Sequence, residues 1–491
     1  MIKPADTNLG VARADFPPSA APAATRPDVY RCGTLVYTRA GLFVLFTWLL
    51  WGDFCFTLME QIWPNVLPLM LKAHSAPNSA VAFIMTTVPS VMNFVLNPII
   101  STASDRHRGP RGRRIPFLLA ATPFITLFLI LLGFSDELGG LLHRTIAHVW
   151  PRVSAAAVTV GLIGVLVASF RFFELFVNTV FWYLFNDVVP GALMGRFLAL
   201  FRLIGSLAGA FFNFCLLRYA DGHASAIFLG VALLYGTVFF SMCLHVKEGD
   251  YGSPDLSETP RRTILDLVRG YFRVCFSSRI YRLVFTYNAL FFMGSSVNAF
   301  VIFSAFSVGL TLSEVGKVAG AAALLAGVII YPVGTLIDRF NPMLVMVGTQ
   351  AAACLAWSVK IVFLFHDFPA ATAFWIYAVP TALAVSLTSA TAAAALPMGM
   401  CIFPKARFGQ FCAAGAMCGA VGTIVGGFLV GGLLDFFKSI WPAGEFYYRL
   451  VPVWQGGLAA TTVVAINLVY REWKRLGGAD GYVPPMRPDD F

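Results

Sequence analysis

The sequence predicts an all-α polytopic membrane protein, with twelve transmembrane helices in two pseudo-symmetric six-helix halves. Three observations predict it. Of the 491 residues, 58% are apolar and 12% charged, about half the charged share of an ordinary soluble domain. Apolar stretches of the roughly 20 residues that a spanning helix needs recur along the chain, since inside hydrocarbon a backbone amide must be satisfied within its own helix. The basic residues behind the net charge of +10 gather in alternate short connections. That pattern sets the orientation of a polytopic chain and does not build a nucleic-acid face.

Residues 1–39 are rich in Pro and Ala, carry no apolar stretch of signal-peptide length, and are expected to form a disordered cytoplasmic tail. The N-terminal half, 40–246, offers spans at about 40–64, 79–102, 115–135, 155–185, 197–218 and 224–246. A polar linker, 247–283, follows. Within it Ile264, Leu267, Phe272 and Val274 alternate with Arg269 and Arg273, which predicts an amphipathic helix on the membrane surface. The C-terminal half, 284–471, offers spans at about 284–308, 313–335, 341–365, 370–397, 408–434 and 448–470, and 472–491 form a second cytoplasmic tail. Between the third and fourth spans, Leu141, Leu142, Ile146 and Trp150 recur at helical spacing and predict a short outer helix.

Counting Lys and Arg fixes the expected orientation. One side holds Arg106, Arg108, Arg111, Arg113, Arg114, Arg196, Arg339, Lys405, Arg407, Arg471, Lys474 and Arg475. The other holds far fewer, among them Lys72, Arg144, Arg152 and Lys438. Both termini are therefore expected in the cytoplasm of a multi-pass protein of the cell (inner) membrane. Most of the nine cysteines, Cys55, Cys243 and Cys354 among them, fall inside apolar segments, so no disulfide framework is expected.

The two halves match internally. Ser104-Asp105-Arg106 after the second span corresponds to Ile337-Asp338-Arg339 after the eighth. Pro190 with Gly195-Arg196-Phe197 corresponds to Pro404 with Gly409-Gln410-Phe411, and Gly205 falls opposite Gly419. One duplicated six-span unit, with an extra outer loop in the first copy, explains the spacing.

The run Ser104-Asp105-Arg106-His107-Arg108-Gly109-Pro110-Arg111-Gly112-Arg113-Arg114, followed by Ile115-Pro116-Phe117, resembles the signature loop of the major facilitator superfamily. Its Arg-Gly-Arg-Arg-x-Pro-Phe end is most similar to the glycoside-pentoside-hexuronide:cation symporter and sucrose transporter branch. The resemblance implies the major facilitator fold, with spans one, four, seven and ten around a central cavity. It also implies a cytoplasmic gate formed by Asp105, Arg106, Gly112, Arg113, Arg114, Asp338 and Arg339, with Asp105 and Arg106 packed against the other half. The symporter branch carries two aspartates in the second span; here those positions are Asn93 and Asn97, before Pro98, which puts sodium coupling through that site in doubt.

A charge near the bilayer centre costs at least about 2.5 kcal/mol and calls for a partner or a watery cavity. Asp53 lies in mid-span one, and Glu60, seven residues on, shares its face; Arg171, Glu174 and Asn178 form one stripe of span four. These five are the candidate proton-coupling and substrate residues, with Asp53 expected beside Arg171 and Glu174. A buried ion pair that only fixes packing is the alternative. Arg202, near Arg196, reads as a gate or snorkelling charge. The second half is nearly free of central charges; its Asn288 and Asn298, with Trp51, Asn93 and Asn97, are the candidate cavity lining. Function is therefore expected to be secondary active transport of a sugar, glycoside or sugar acid by alternating access. The expected coupling ion is H+, with Na+ as alternative. The rival is an uncoupled facilitator or efflux transporter of another small organic solute.

No cluster of His, Asp or Cys has catalytic or metal spacing, and no Gly-rich loop ends in Gly-Lys-Ser or Gly-Lys-Thr. Enzymatic activity, a cofactor and a metal are accordingly not expected. The expected partners are a small-molecule solute and the lipid bilayer, not nucleic acid, and the expected state is a monomer.

Overall fold

The computed structural model describes residues 29–107, 109–249, 273–441 and 445–485. Most of the expected linker helix, 263–272, and the ends of both tails lie outside the described residues. Eleven helical stretches among the described residues are long and apolar enough to cross a bilayer. The longest, Gly191–His245, has 55 residues and would run about 80 Å if straight. It reverses at Asp221, Gly222 and His223, where Gly222 takes φ +86°, a conformation that a side chain would strain. Twelve crossings result.

The first span is Arg39–Asn65, entered through Thr38, whose hydroxyl accepts from Gly41 N at 3.1 Å. The second combines Asn78–Ala82, a π-turn at Phe83–Thr87, and Val88–Arg106. Spans three to six are Ile115–Gly133, Ala155–Val188, Met194–Phe211 with its continuation to Tyr219, and Ala220–His245. Span seven begins as Arg279–Ser295 and ends at Phe306; span eight is Leu312–Arg339. Spans nine to twelve are Pro342–Val359 continued through Lys360–Leu364, Ala370–Ile402, Phe408–Ile440, and Val451–Arg475. A further helix, Ser135–Ala147, lies between spans three and four.

The halves repeat one packing scheme. Span one packs on five and six, three on four and six, and two on four; in the second half seven packs on eleven and twelve, nine on ten and twelve, and eight on ten. Adding six to each number converts the first set into the second. The turns agree too: Pro190 leads through a 3₁₀ turn at Gly191–Leu193 into span five, and Pro404 through one at Lys405–Arg407 into span eleven. The halves join through spans two and eleven and through five and eight.

Residues 29–38, expected within the disordered tail, instead form an antiparallel hairpin, Val29–Cys32 with Leu35–Thr38. The physical reason is docking: the Cys32 thiol donates to the carbonyls of Asp187 and Val189, both at 3.5 Å, at the end of span four. All nine cysteines are free.

Span eleven carries glycine on two faces. Toward span seven, a Cβ added at Gly422 would stand 2.0 Å from the Ala289 carbonyl oxygen, so the two backbones touch only because no side chain intervenes. Toward span two, a Cβ at Gly431 would meet Ser79 Cα at 2.8 Å and one at Gly427 would meet Thr87 Oγ1 at 2.9 Å. Farther along, the Asp435 carboxylate accepts from Asn78 N and Ser79 N, each at 2.8 Å, and Tyr448 OH donates to Asn78 Oδ1 at 2.8 Å. Asp435 thus caps the N-terminus of span two from the other half, where exposed amides and the helix dipole favour a negative charge.

Across the second seam, a Cβ at Gly316 of span eight would lie 2.3 Å from Asn213 O of span five. Among the described residues, these inter-half contacts lie in the parts of the spans remote from the basic connections. The bundle is closed at that remote end.

Replacing Asp435 with Ala removes both charge-assisted bonds across the seam. The population sealed at the remote end should fall at least tenfold relative to its alternative, read from alkylation of single cysteines placed beside Ser79. Unchanged labelling would show that Asp435 does not hold this state.

Candidate functional site

The small residues of span five make room for charge. Gly205 and Gly209 face Asp53, Thr57 and Gln61 of span one, while Ser206 faces Gly327 of span eight; a Cβ on Gly205 would come within 3.7 Å of Asp53 Oδ2. Asp53 is 2% exposed, its Oδ1 accepts from Thr57 Oγ1 at 3.5 Å, and its other oxygen has no donor among the described residues. It opens onto a cavity of about 540 Å³, within the range of small-molecule sites, between the halves. Glu60, Asn178, Trp182 and Arg202 line the same cavity, facing Ala323, Ile330, Val385 and Ser389 of the second half.

The charges sort differently from expectation. Asp53 does not meet Arg171 and Glu174. Arg202 is the guanidinium within electrostatic reach of Asp53, and its Cζ lies 5.4 Å from the Trp182 ring centroid. The gate reading of Arg202 is thereby corrected: Arg202 lines the cavity. Glu60 is the group that lies against Glu174. Glu174 is fully buried, with Oε2 2.9 Å from Arg171 Nη1, and Arg171 stacks over Trp63 at 5.0 Å. The reason is helical pitch. Seven residues separate Asp53 and Glu60, about 10 Å of rise, so span one meets Arg202 at one depth and Arg171 with Glu174 at another.

Of the five expected lining residues, Asn298 reaches the cavity system. It lines a recess of about 420 Å³ that continues the central cavity through their shared Gln61, Ala323, Val385 and Ser389. Trp51 is exposed and stacked on Phe54, and Asn93 is exposed. Asn97 accepts from Thr179 Oγ1 at 3.0 Å, and Asn288 stands at the close approach to Gly415. None of these four lines the central cavity: Trp51 lies on a face of span one away from it, and spans two and seven turn Asn93, Asn97 and Asn288 to neighbouring helices or to the outside. Spans one, four, five, eight and ten line it instead.

The arginine-rich turn is held by the end of span four and by the start of the linker. Gly112 takes φ +97°, which brings three successive amides onto one carboxylate: Arg113 N, Arg114 N and Ile115 N donate to Glu248 at 2.9, 2.8 and 2.6 Å. Arg113 and Arg114 both pair with Asp187, and Arg114 lies over Tyr183 at 5.0 Å. Arg339 is exposed; the side chains of Asp105, Arg106 and Asp338 lie outside the described residues. Asp187 and Glu248 escaped sequence reasoning because each sits at the very end of a span or just past it, where a carboxylate is unremarked.

One buried cation was also missed. Lys360, at the end of span nine, is 1% exposed, with Nζ 4.3 Å from the Trp357 ring centroid and 4.6 Å from that of Tyr377. The second half is therefore not free of buried charge, and a scan for ionisable residues within apolar stretches flags this position. Two ring faces border its amino group, and no carboxylate pairs with it among the described residues.

No protein-family model matches the chain. Over 84 residues it is 32% identical to the sucrose transport protein SUT4 of rice, Oryza sativa; that match covers 17% of this chain and 14% of the rice protein. Solved structures agree over far more. The nucleoside transporter NupG, as a D323A mutant, aligns with TM-score 0.66 at 10% identity, covering 87% of this chain and 100% of that one. A bacterial homologue of the lysosomal transporter Spinster, in an inward-facing and occupied conformation, aligns with TM-score 0.61 at 13% identity over 90% and 99%. A bacterial ferroportin homologue in an inward-facing state gives 0.58 at 14% over 87% and 99%. At such identities the likeness is one of fold. The chain has the major facilitator fold, and the proteins it resembles are transporters.

Arg171→Ala leaves two carboxyl groups against each other without their cation, a change that costs about 3–5 kcal/mol in comparable buried pairs. The expected result is a clearly lowered melting temperature in detergent, partly restored when Glu174→Gln is added. An unchanged melting temperature would remove Arg171 from the charge network.

Proposed function

We propose that the chain is a secondary active transporter that moves a sugar, glycoside or sugar acid across the membrane by alternating access, in symport with a proton. The observation that carries this reading is the two-sided cavity. Its first-half wall holds Asp53, Glu60 and Arg202, and its second-half wall offers neutral amides and hydroxyls, including Asn298, Ser389 and Gln455. The limited similarity to a rice sucrose transport protein supports the same solute class.

Charge balance gives the coupling. Asp53, Glu60 and Glu174 face two guanidinium groups, Arg171 and Arg202. Three carboxylates exceed two cations by one, and one bound proton makes the cluster neutral. A neutral cluster avoids the desolvation cost of an excess charge when the cavity closes, whereas an open, wetted cavity tolerates it. Proton binding thereby becomes linked to which end of the cavity is open. Arg202 faces the solute cavity and Arg171 does not, so Arg202 is the cation on which an arriving solute acts directly.

Basic connections mark the cytoplasmic side of a polytopic chain. With the Arg113–Arg114 turn in the cytoplasm, the state seen is closed to the outside and opens inward, with both termini cytoplasmic and the protein in the cell inner membrane. The turn is then held on that side through Asp187 and Glu248.

In proteoliposomes, Asp53→Asn and Glu174→Gln should each abolish sugar accumulation driven by an inward proton gradient, at least a tenfold loss, while solute exchange at equal pH persists. Full uphill uptake in both variants would overturn proton coupling. Uptake that equilibrates but never exceeds the outside concentration in the unsubstituted protein would make it a facilitator.

A further inference from the structure

We infer that Gln350, Thr381, Thr388, Ser389 and Gln455 form a hydroxyl-reading subsite, one that selects neutral polyhydroxylated solutes over sugar acids; the inference rests on the transport reading above and narrows its solute. The subsite lies where the 420 Å³ recess, lined by Trp357, Thr381 and Gln455, meets a smaller one of about 110 Å³ that adds Gln350 and Thr462.

Gln350 and Gln455 are 5% and 6% exposed, and Thr381 is 6% exposed. Among the described residues, no donor reaches the side-chain oxygen of any of the three. A buried polar oxygen left without a donor costs stability and marks a place where a chain gives up stability for function. For Gln350 the orientation of the amide follows from its neighbours. The Thr462 hydroxyl spends its hydrogen on Ala459 O at 2.7 Å, so Thr462 Oγ1 can only accept, and it is Gln350 Nε2 that donates to it at 2.7 Å. The Gln350 carbonyl oxygen is therefore the free group.

The hydroxyls of span ten present the same polarity. Thr388 donates to Ala384 O at 2.8 Å and Ser389 to Val385 O at 3.0 Å, leaving only lone pairs for a solute. This wall thus offers open acceptors on Gln350, Thr388 and Ser389 beside uncharged amide and hydroxyl groups on Asn298, Thr381 and Gln455. A sugar hydroxyl satisfies it by donating. A carboxylate would enter without a cation to pair with, since neither recess is lined by Lys or Arg among the described residues, and would lose its hydration uncompensated. Lys360 stands over the rings of Trp357 and Tyr377 and is not among the residues lining either recess.

The test uses the full-length protein in detergent, titrated with sucrose, maltose, methyl β-glucoside and glucuronate and followed by isothermal calorimetry, alongside Gln350→Met and Gln455→Met. At least one neutral sugar should bind, tenfold or more tighter than glucuronate, and its affinity should fall tenfold or more in each variant. Gln455→Met should melt no lower than the unsubstituted protein without ligand, because it removes an unsatisfied acceptor. The inference is overturned if no neutral sugar of the set binds, if binding is unchanged in both variants, or if glucuronate binds as tightly. A sugar that binds in this variant-dependent way yet is never accumulated under a proton gradient overturns the symport reading and leaves the subsite. Accumulation with affinity unchanged in both variants does the reverse.

Discussion

The close approach of span eleven to two helices at once organises the molecule. Lipid gives helices no hydrophobic reason to associate, so they pack by contact area, and glycine permits the shortest approach. Gly422 sets span eleven against the Ala289 backbone of span seven, inside its own half, while Gly427 and Gly431 set it against Thr87 and Ser79 of the first half. One helix is therefore both a core element of its half and the surface on which the other half rests. The seam of spans five and eight completes the closure, and the cavity is the space between these two lines of contact.

That space is polar on unequal terms. The first half contributes carboxylates and a guanidinium, and the second contributes amides, hydroxyls and rings. Duplication of a six-span unit accounts for the common packing scheme, and divergence since then has put most of the ionisable groups on one side. In a low-dielectric bundle this separation is economical: strongly interacting charges stay together in one cluster, where each limits the desolvation of the others.

The same logic distinguishes the two ends of the bundle. At the remote end a carboxylate on span eleven caps span two across the seam, joining the halves. At the basic end, Glu248, just past span six, gathers the amides that start span three, and Asp187 at the end of span four binds the paired arginines. Carboxylates at helix starts serve at both ends, and the Asp435 bonds are the ones that cross from one half to the other.

Much of this was legible in the sequence. The apolar runs, the repeat and the sidedness of the basic turns follow from local rules: a span must be long and oily, a duplicated unit keeps its turns, and arginines collect on one side. Asp53, Glu60 and Glu174 stood out because ionisable residues inside apolar stretches are costly wherever they point. Which carboxylate meets which guanidinium was not legible. Asp53 faces Arg202 and not Arg171 because pairing depends on the relative rotation and height of spans one, four and five, and many distant contacts set these together. Asn93 and Asn97, with the right chemistry, point away from the cavity, whereas Gln350 and Gln455 became visible only once their oxygens were found without donors. Composition and period determine that a segment is a helix and that it lies in a membrane; the direction a side chain faces is a property of the whole bundle, and that was decided by tertiary packing alone.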